Sequence, residues 1–223
     1  MPKARMSHEE VTNIRVRILD SALEIIIHEG FNNLSVRKVA SRLGITATTI
    51  YRYYKNRDEL NLMIRIRGFE TLHDLLTHRA AARGGIEERL AAMVRAYVEF
   101  GLRNPSYYDL MFNLHTPKYL DYVGTDIEPL ALEEKQIALR CYELFTDIIN
   151  AFMPGVGARR DRFVLYQIIR FWSDLHGLVT LCNSRLFHEV LEDVDAFVEE
   201  RTADVIRDIR HLKERIDAGE KLF

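Results

Sequence analysis

The N-terminal part of the chain shows apolar residues at helical spacing. Over about residues 8–29 they recur every three or four positions, until Gly30 gives the helix a stop. Ser7 and Glu10 stand at the spacing of a capping box, in which a hydroxyl and a carboxylate each bond a backbone N–H at a helix start. The pattern therefore predicts a first helix over about 8–29.

Two short helices and the start of a long one are predicted next. Ser35 is a good N-cap for an apolar stripe that ends at Gly44, and Thr46 caps a second short segment, TATTIYRYY. Asn56 and Glu59 form another capping box, and the apolar spacing after them predicts a long fourth helix. Three helices and the beginning of a fourth thus fit within residues 1–60.

The rest of the chain continues in the same pattern. It is interrupted at residues 80–85 and 154–157, and it contains no credible strand pair, internal repeat or low-complexity run. We expect an all-α fold of about nine helices, with a three-helix head at 1–60 and a helical body at 61–223. The later helices are predicted at about 86–103, 106–114, 127–152, 159–187 and 193–217.

The last two predicted helices have the pattern of an interface. The helix at 159–187 is apolar on nearly all sides, and such a helix is expected to be buried all round. The helix at 193–217 has a narrower apolar seam and charged outer faces. Because two such helices from each of two chains would make a four-helix interface, we expect a homodimer. The predicted interface residues are Phe171, Leu178, Val198, Val205, Ile209 and Leu212.

Charge is distributed unevenly along the chain. The net charge is −2, but residues 1–60 carry ten Lys/Arg and seven Asp/Glu, a balance of +3 that leaves −5 for the remainder. A basic N-terminal patch could bind phosphate, while an acidic body discourages non-specific coating of DNA.

The spacing of the cysteines and the lack of long apolar runs argue against several other classes of protein. The two cysteines, Cys141 and Cys182, have no CxxC or histidine-rich spacing around them, which argues against a disulfide framework and a zinc site. No window reaches the roughly 18 apolar residues of a membrane span, and the N-terminus lacks the apolar core of a signal peptide. We therefore expect a cytoplasmic protein without a metal, a cofactor or a membrane partner.

Residues 35–54 have the features of a helix-turn-helix. Ala40 allows two short helices to approach, Gly44 suits the positive φ of the turn, and Ile50 anchors the second helix. The hydroxyls, methyls and flanking cations suit the major groove, although an isolated helix of this kind is more often an ordinary surface helix. The capped three-helix context favours DNA binding. The predicted DNA contacts are Ser35, Arg37, Thr46, Ala47, Thr48, Thr49, Tyr51, Tyr53, Lys55 and Arg57.

These residues also carry a family resemblance. The segment resembles the N-terminal domain of TetR-type regulators over the run LSVRKVASRLGITATTIYRYYKNRDEL. The matching features include Gly44 in the turn, the pair Ile50–Tyr51 and the aromatic Tyr54. The resemblance covers about residues 12–62.

The resemblance implies a role for each part of the helix-turn-helix. Residues 46–49 would enter the major groove, and Arg37 would add a base or phosphate contact. Ala47 stands where many family members have a longer polar residue, so recognition there would rest on its methyl group. The residues that would hold the DNA backbone are Tyr51, Tyr53 and Arg57.

A second resemblance concerns about residues 100–190. The segment FWSDLHGLVTL resembles the Trp…His-Gly (WHG) signature of one TetR C-terminal subfamily, through Trp172, His176 and Gly177, and residues 104–112 resemble that subfamily's sixth helix. Gly177 would allow close helix approach. His176 could line a pocket, titrate or bind a metal, but a lone histidine on an apolar helix is more often a core residue.

The body also has the side chains that an apolar or aromatic ligand prefers. Aromatic residues and methionines at helical spacing usually fill one another's voids, so a packed core without a cavity is the alternative. The predicted ligand-binding residues are Tyr97, Tyr108, Met111, Phe112, Tyr142, Phe145, Tyr166 and His176.

The sequence as a whole predicts a ligand-responsive transcriptional regulator, a repressor that binds a palindromic operator as a dimer and is released by a small effector. An architectural or partner-regulated DNA-binding protein of the same fold, without an effector, is the alternative. An all-α enzyme is a distant one, because GxGxxG, GxxxxGK, GxSxG and HExxH are all absent.

Overall fold

The computed structural model describes residues 7–154 and 160–220, and in these ranges the backbone is helical without a strand. This confirms the all-α class. The helices are α1 His8–Glu29, α2 Val36–Leu43, α3 Ala47–Tyr51, α4 Arg57–Ala80, α5 Ile86–Arg103, α6 Pro105–Tyr108, α7 Tyr119–Tyr122, α8 Glu128–Phe152, α9 Arg160–Asn183, α10 Leu186–Val190 and α11 Val194–Asp217.

Eleven helices stand in the described ranges where about nine were predicted; two departures account for the two additional helices, and a third changes the form of a predicted one. The segment predicted as one helix over 106–114 is α6 followed by a π-helical turn at Asp109–Asn113. The short α7 was not predicted; its Lys118 N–H donates to Asp121, 2.8 Å away. The predicted last turns of the helix at 159–187 are separated as α10, because Arg185 takes a left-handed conformation with φ 62°. Most of the predicted break at 154–157 lies outside the described residues.

The chain folds into two compact units that are each built from two segments. The first unit contains residues up to Phe69 together with Ser106–Ile137, and the second contains Glu70–Pro105 together with Ala138 onward. The functional boundary at residue 60 stays a prediction. The structural division does not coincide with it, because Leu110 and its neighbours pack into the core of the N-terminal helices.

The core of the first unit joins α1, α2, α3 and the start of α4. Ile50 of α3 is fully buried against this core, as are Val39 of α2 and Leu60 of α4. Burying one such aliphatic side chain contributes about 1.5–3 kcal/mol. Since α3 has only five residues, its position depends on this packing rather than on intrinsic helix stability.

A buried ion pair holds the 106–137 segment against α4 within the first unit. Arg65 Nε and Nη2 donate to Glu134 Oε1 at 2.9 and 2.6 Å, and Arg65 Nη1 reaches the Thr116 hydroxyl at 3.4 Å. Nearby, the Tyr122 hydroxyl donates to Asp58 at 3.3 Å, and burial together with the Asp58 charge raises the pKa of Tyr122 to about 12.

In the second unit α9 packs against α5 and α11. The Trp172 indole N–H donates to the Tyr97 hydroxyl at 2.7 Å, and the Asn183 amide donates to the Gly101 carbonyl at 3.1 Å. On the α11 side the Arg210 guanidinium bonds Glu87 of α5 at 2.6 Å. The first two bonds join α9 to α5, the third joins α11 to α5, and α9 also packs against α11.

The expectation that the helix at 159–187 is buried all round is wrong for the single chain. One side of α9, which includes Phe163, Leu175 and Val179, is buried. Much of the remaining surface of α9 is exposed. Its large apolar side chains, here called the α9 apolar face, are Leu165, Tyr166, Ile169 and Trp172, of which Trp172 also bonds Tyr97 of α5.

The place of the six predicted interface residues in a dimer stays a prediction. All of them are buried within the single chain, where they form the packing of α9 and α11, so their side chains have almost no surface left for a partner. They are Phe171, Leu178, Val198, Val205, Ile209 and Leu212.

Over residues 7–154 and 160–220, none of the helices is both long enough and apolar enough to cross a membrane.

Candidate nucleic-acid interface

The turn between α2 and α3 is closed by the glycine that the sequence indicated. Gly44 takes the left-handed conformation, φ 65° and ψ 29°, and its N–H bonds the Ala40 and Ser41 carbonyls. The Ile45 N–H then bonds the Ala40 carbonyl at 3.0 Å. A Cβ added at Gly44 would meet nothing within 4 Å, so glycine is favoured here by backbone conformation and not by space.

Helix α3 is capped by Thr46 and anchored by Ile50. The Thr46 hydroxyl accepts the Thr49 N–H at 3.2 Å and lies 2.9 Å from the Thr49 hydroxyl. The two hydroxyls are therefore engaged with each other, and the Thr46 hydroxyl is also engaged with the helix backbone. The sequence predicted Thr46 to Thr49 as one base-reading edge, but in this structure only the Thr48 hydroxyl is exposed and without a hydrogen bond among the described residues.

Four exposed residues follow one another along α3 and the turn after it. Thr48, Tyr51 and Arg52 lie three or four residues apart on the helix and its C-cap, and Lys55 stands in the turn that follows. Tyr51 is 54% exposed, which suits a contact with DNA. We call these four residues the outer stripe.

Positive charge surrounds the outer stripe. Residues 35–57 contain six Lys or Arg and no Asp or Glu. Lys38 and Arg42 both pair with Glu29. The side chains of the other cations flanking α3, Arg37, Arg52 and Lys55, make no hydrogen bond, ion pair or ring contact with the described residues, so they are available to phosphate.

Three of the predicted DNA contacts are also held by structural interactions. The Ser35 hydroxyl caps α2 by accepting the Lys38 N–H at 3.2 Å. Tyr53 is half-buried against the core of the first unit. The Arg57 guanidinium lies 5.1 Å from the centre of the Phe31 ring, a cation–π contact that fixes its stem while leaving the side chain exposed.

Sequence reasoning missed Arg52. It is exposed, immediately follows α3, and lies four residues after Thr48 on the same side of the helix. That spacing was the signal that could have identified it, since residues four apart share a helix face.

The predicted ligand-binding residues of the first unit pack closely on one another. The Tyr108 and Phe112 rings lie 4.9 Å apart, and Phe112 meets Phe69 edge-on at 5.7 Å. Met111 is buried, and its sulfur would lie 2.6 Å from a Cβ added at Gly68. These contacts fit the packed-core alternative.

The predicted ligand-binding residues of the second unit differ in exposure. Tyr97 is buried and meets Phe145 edge-on at 6.4 Å, whereas Tyr142 and Tyr166 are exposed. His176 is half-buried, and burial lowers the pKa of its imidazole. The eight residues are therefore divided between the two units, with three in the first and five in the second.

Two family models match this chain. Residues 18–62 match the model described as bacterial regulatory proteins of the tetR family, and residues 90–205 match the model described as the tetracyclin repressor-like C-terminal domain. The second match covers more than half of the chain. Its description does not specify the WHG subfamily, so that assignment stays a prediction.

Individual relatives are regulators of transcription. The HTH-type transcriptional repressor KstR of Mycolicibacterium smegmatis is 33% identical over 106 residues, which make up 47% of this chain and 52% of KstR. The HTH-type transcriptional activator FasR of the same species is 23% identical over 161 residues, 72% of this chain and 69% of FasR. The chain thus matches about half the length of KstR.

A solved structure extends the similarity to most of the chain. The regulatory protein SCO4313 superimposes with a TM-score of 0.68 and 25% identity, over 90% of this chain and 98% of that one. The matching family and these relatives are transcriptional regulators and not enzymes.

Proposed function

This chain belongs to the TetR family of bacterial regulatory proteins and is a DNA-binding transcriptional regulator; from that premise we propose that it is a ligand-responsive repressor that binds a palindromic operator as a homodimer. The observation that carries the DNA-binding surface is the outer stripe. An exposed threonine and tyrosine lie there beside cations that bond to no other described side chain.

The α9 apolar face supports the homodimer. Ile169 is 47% exposed and Trp172 is 45% exposed in the single chain, and contiguous exposed apolar surface of this kind marks an interaction site. A side chain added at Gly177 on the same helix would meet nothing within 4 Å, so another helix has room to approach closely there. A two-fold dimer would present two copies of α3 about 34 Å apart, one turn of duplex.

The repressor role is proposed from a relative, and the effector from the predicted ligand-binding residues. KstR is a transcriptional repressor by name and FasR an activator, and KstR has the higher identity to this chain. A small, largely apolar or aromatic effector would release the operator only if it bound better to the conformation with displaced α3 helices. The predicted ligand-binding residues are the candidates for that site.

One observation favours a second candidate function. The rings of Tyr97 and Phe145, and those of Tyr108 and Phe112, already pack on each other. A core filled in this way suits an architectural or partner-regulated DNA-binding protein without a small effector. Saturable thermal stabilisation by a metabolite would favour the first candidate, and operator release by a protein partner alone would favour the second.

The DNA-binding surface is tested by a charge-matched pair of variants. The triple variant Arg37→Ala, Arg52→Ala, Lys55→Ala removes three cations flanking α3. The control Arg95→Ala, Arg140→Ala, Arg162→Ala removes three exposed arginines of the second unit. We expect the first to lose operator binding by at least a factor of 100 near 0.15 M salt, and the second to bind like the wild type, because each phosphate contact releases counterions. Equal losses in both would contradict the assignment of this surface.

A further inference from the structure

From its N-cap to its last residue, α3 presents methyl groups and a ring but no long polar side chain. From Thr46 to Tyr51 there is no Arg, Lys, Asn, Gln, Asp or Glu. Side chains of those types supply the bidentate contacts that recognise guanine or adenine and the acceptor that recognises cytosine. Helix α3 therefore lacks the usual means of recognising three of the four bases.

The hydrogen bonds of the threonine hydroxyls further limit which groups of this segment can contact base edges. Those of Thr46 and Thr49 lie 2.9 Å apart, and the Thr46 hydroxyl also accepts a backbone N–H of the helix. Ala47 is half-buried, and its methyl group, its only side-chain group, packs in part against the core of the first unit, while Thr48 and Tyr51 are exposed. The groups left to meet the base edges are the Ala47 and Thr48 methyls, the Thr48 hydroxyl and the Tyr51 ring.

Only one base displays an apolar group in the major groove. Thymine carries a C5-methyl there, and alanine, the threonine methyl and aromatic rings are the side chains that pack against it. The arginines of residues 35–57 lie outside the segment from Thr46 to Tyr51. Arg37 and Arg52 flank α3, are exposed and are suited to phosphate.

We propose that α3 selects its operator half-site by packing Ala47, Thr48 and Tyr51 against the C5-methyl groups of thymines. The DNA partner is then a duplex with A·T pairs at the positions that face α3. This inference rests on the proposed operator-binding function and adds the chemistry by which the operator is chosen.

The test removes single methyl groups from the DNA. The full-length protein first selects its preferred duplex from a random pool, and each thymine of that duplex is then replaced in turn by deoxyuridine, which keeps the base pair. Burying one methyl-sized group is worth about 0.8 kcal/mol, so affinity should fall about 4-fold at two or more thymines of each half-site. Replacing a guanine by 7-deazaguanine at a position that faces α3 should leave affinity unchanged.

Two variants of one exposed residue assign the contact. Thr48→Ser keeps the hydroxyl and removes the methyl, whereas Thr48→Val keeps a methyl and removes the hydroxyl. At the thymine that faces residue 48, we expect the 4-fold effect of deoxyuridine to vanish in Thr48→Ser and to persist in Thr48→Val. Loss of binding in Thr48→Val with full binding in Thr48→Ser would show hydroxyl recognition and overturn the proposal.

Different results would overturn the methyl contacts and the operator-binding function. A tightly bound, specific duplex whose affinity is unchanged by deoxyuridine at every thymine would overturn the methyl contacts and leave the operator-binding function intact. Selection of no duplex above the level of random DNA would overturn the operator-binding function, and the present inference with it.

Discussion

Thr48 and Arg52 occupy the exposed side of α3 without a competing contact in the described chain. Their neighbours differ: the hydroxyls of Thr46 and Thr49 bond within the helix cap, and Ile50 is fully buried. A side chain that is already bonded must give up that bond before it can contact DNA. Thr48 and Arg52 therefore require the least rearrangement on binding.

The first prediction concerns Arg52. Replacing Arg52 by Ala should weaken binding to operator and random DNA alike, and should reduce the slope of log K against log salt concentration by about 0.9, the value for one lost phosphate contact. Titrations at several salt concentrations between about 50 and 200 mM measure this slope. Arg140→Ala is the matched control, and a slope that Arg52→Ala leaves unchanged would exclude Arg52 from phosphate contacts.

The chemistry of single residues was only partly predictable from sequence. Exposure of Thr48 and Tyr51 followed from the position of Ile50 on a short helix. The bond between the Thr46 and Thr49 hydroxyls did not, because threonine rotamers are set by the folded backbone and by competing partners. Arg52 was missed although the capped segment TATTIYRYY contains it and it lies four residues after Thr48.

The helix ends followed directly from local sequence. Ser7 and Glu10 form both bonds of their capping box, at 3.1 and 2.7 Å, and Gly44 closes α2 as expected. Such bonds join residues only three or four positions apart, so the spacing of residue types suffices to predict them. The Arg65–Glu134 ion pair could not be predicted in this way, since it joins residues 69 positions apart.

The second prediction concerns the turn of the helix-turn-helix. Gly44→Ala should lower the free energy of unfolding by about 1–2 kcal/mol, because an L side chain is strained at φ 65°. No neighbouring atom blocks the added Cβ, so Gly44→Asn should recover part of the loss, since asparagine tolerates this conformation. Urea denaturation of both variants measures the difference; equal stability of Gly44→Ala and the wild type would contradict it.

The third prediction concerns the buried pair that holds the 106–137 segment on α4. Glu134→Leu should cost about 3–5 kcal/mol of stability, because it leaves the Arg65 charge buried without its partner. The double variant Arg65→Met, Glu134→Leu should be substantially more stable than the single one. If both variants lost the same stability in denaturant titrations, the cost would come from packing and not from the unpaired charge.

In the molecule as a whole, positive charge is concentrated in one segment of the chain. Residues 35–57 carry +6 while the net charge of the chain is −2, so the remainder carries −8. Such a distribution favours phosphate binding at one place and discourages it elsewhere.

The apolar circumference of α9 was evident from sequence. Which of its residues face α5 and α11 could not be predicted, because nearly all positions are similar in hydrophobicity.

The fourth prediction concerns the α9 apolar face. Ile169→Asp should give folded monomers in sedimentation analysis, because Ile169 is 47% exposed and the aspartate would be buried only in the dimer. Ile209→Asp is the contrasting variant. Ile209 is 2% exposed within the chain, so this variant should unfold rather than dissociate. A stable dimer of Ile169→Asp would place the interface on another surface.

The central claim is that this regulator recognises a specific operator through α3. The most direct test is the ratio of its affinity for the selected duplex to that for random duplex, measured near 0.15 M salt for the wild type and for Thr48→Ser. We predict a ratio of at least about 1,000 for the wild type and a clear reduction in the variant. A wild-type ratio near one would contradict the central claim, and a ratio that Thr48→Ser does not change would contradict recognition through the Thr48 methyl group.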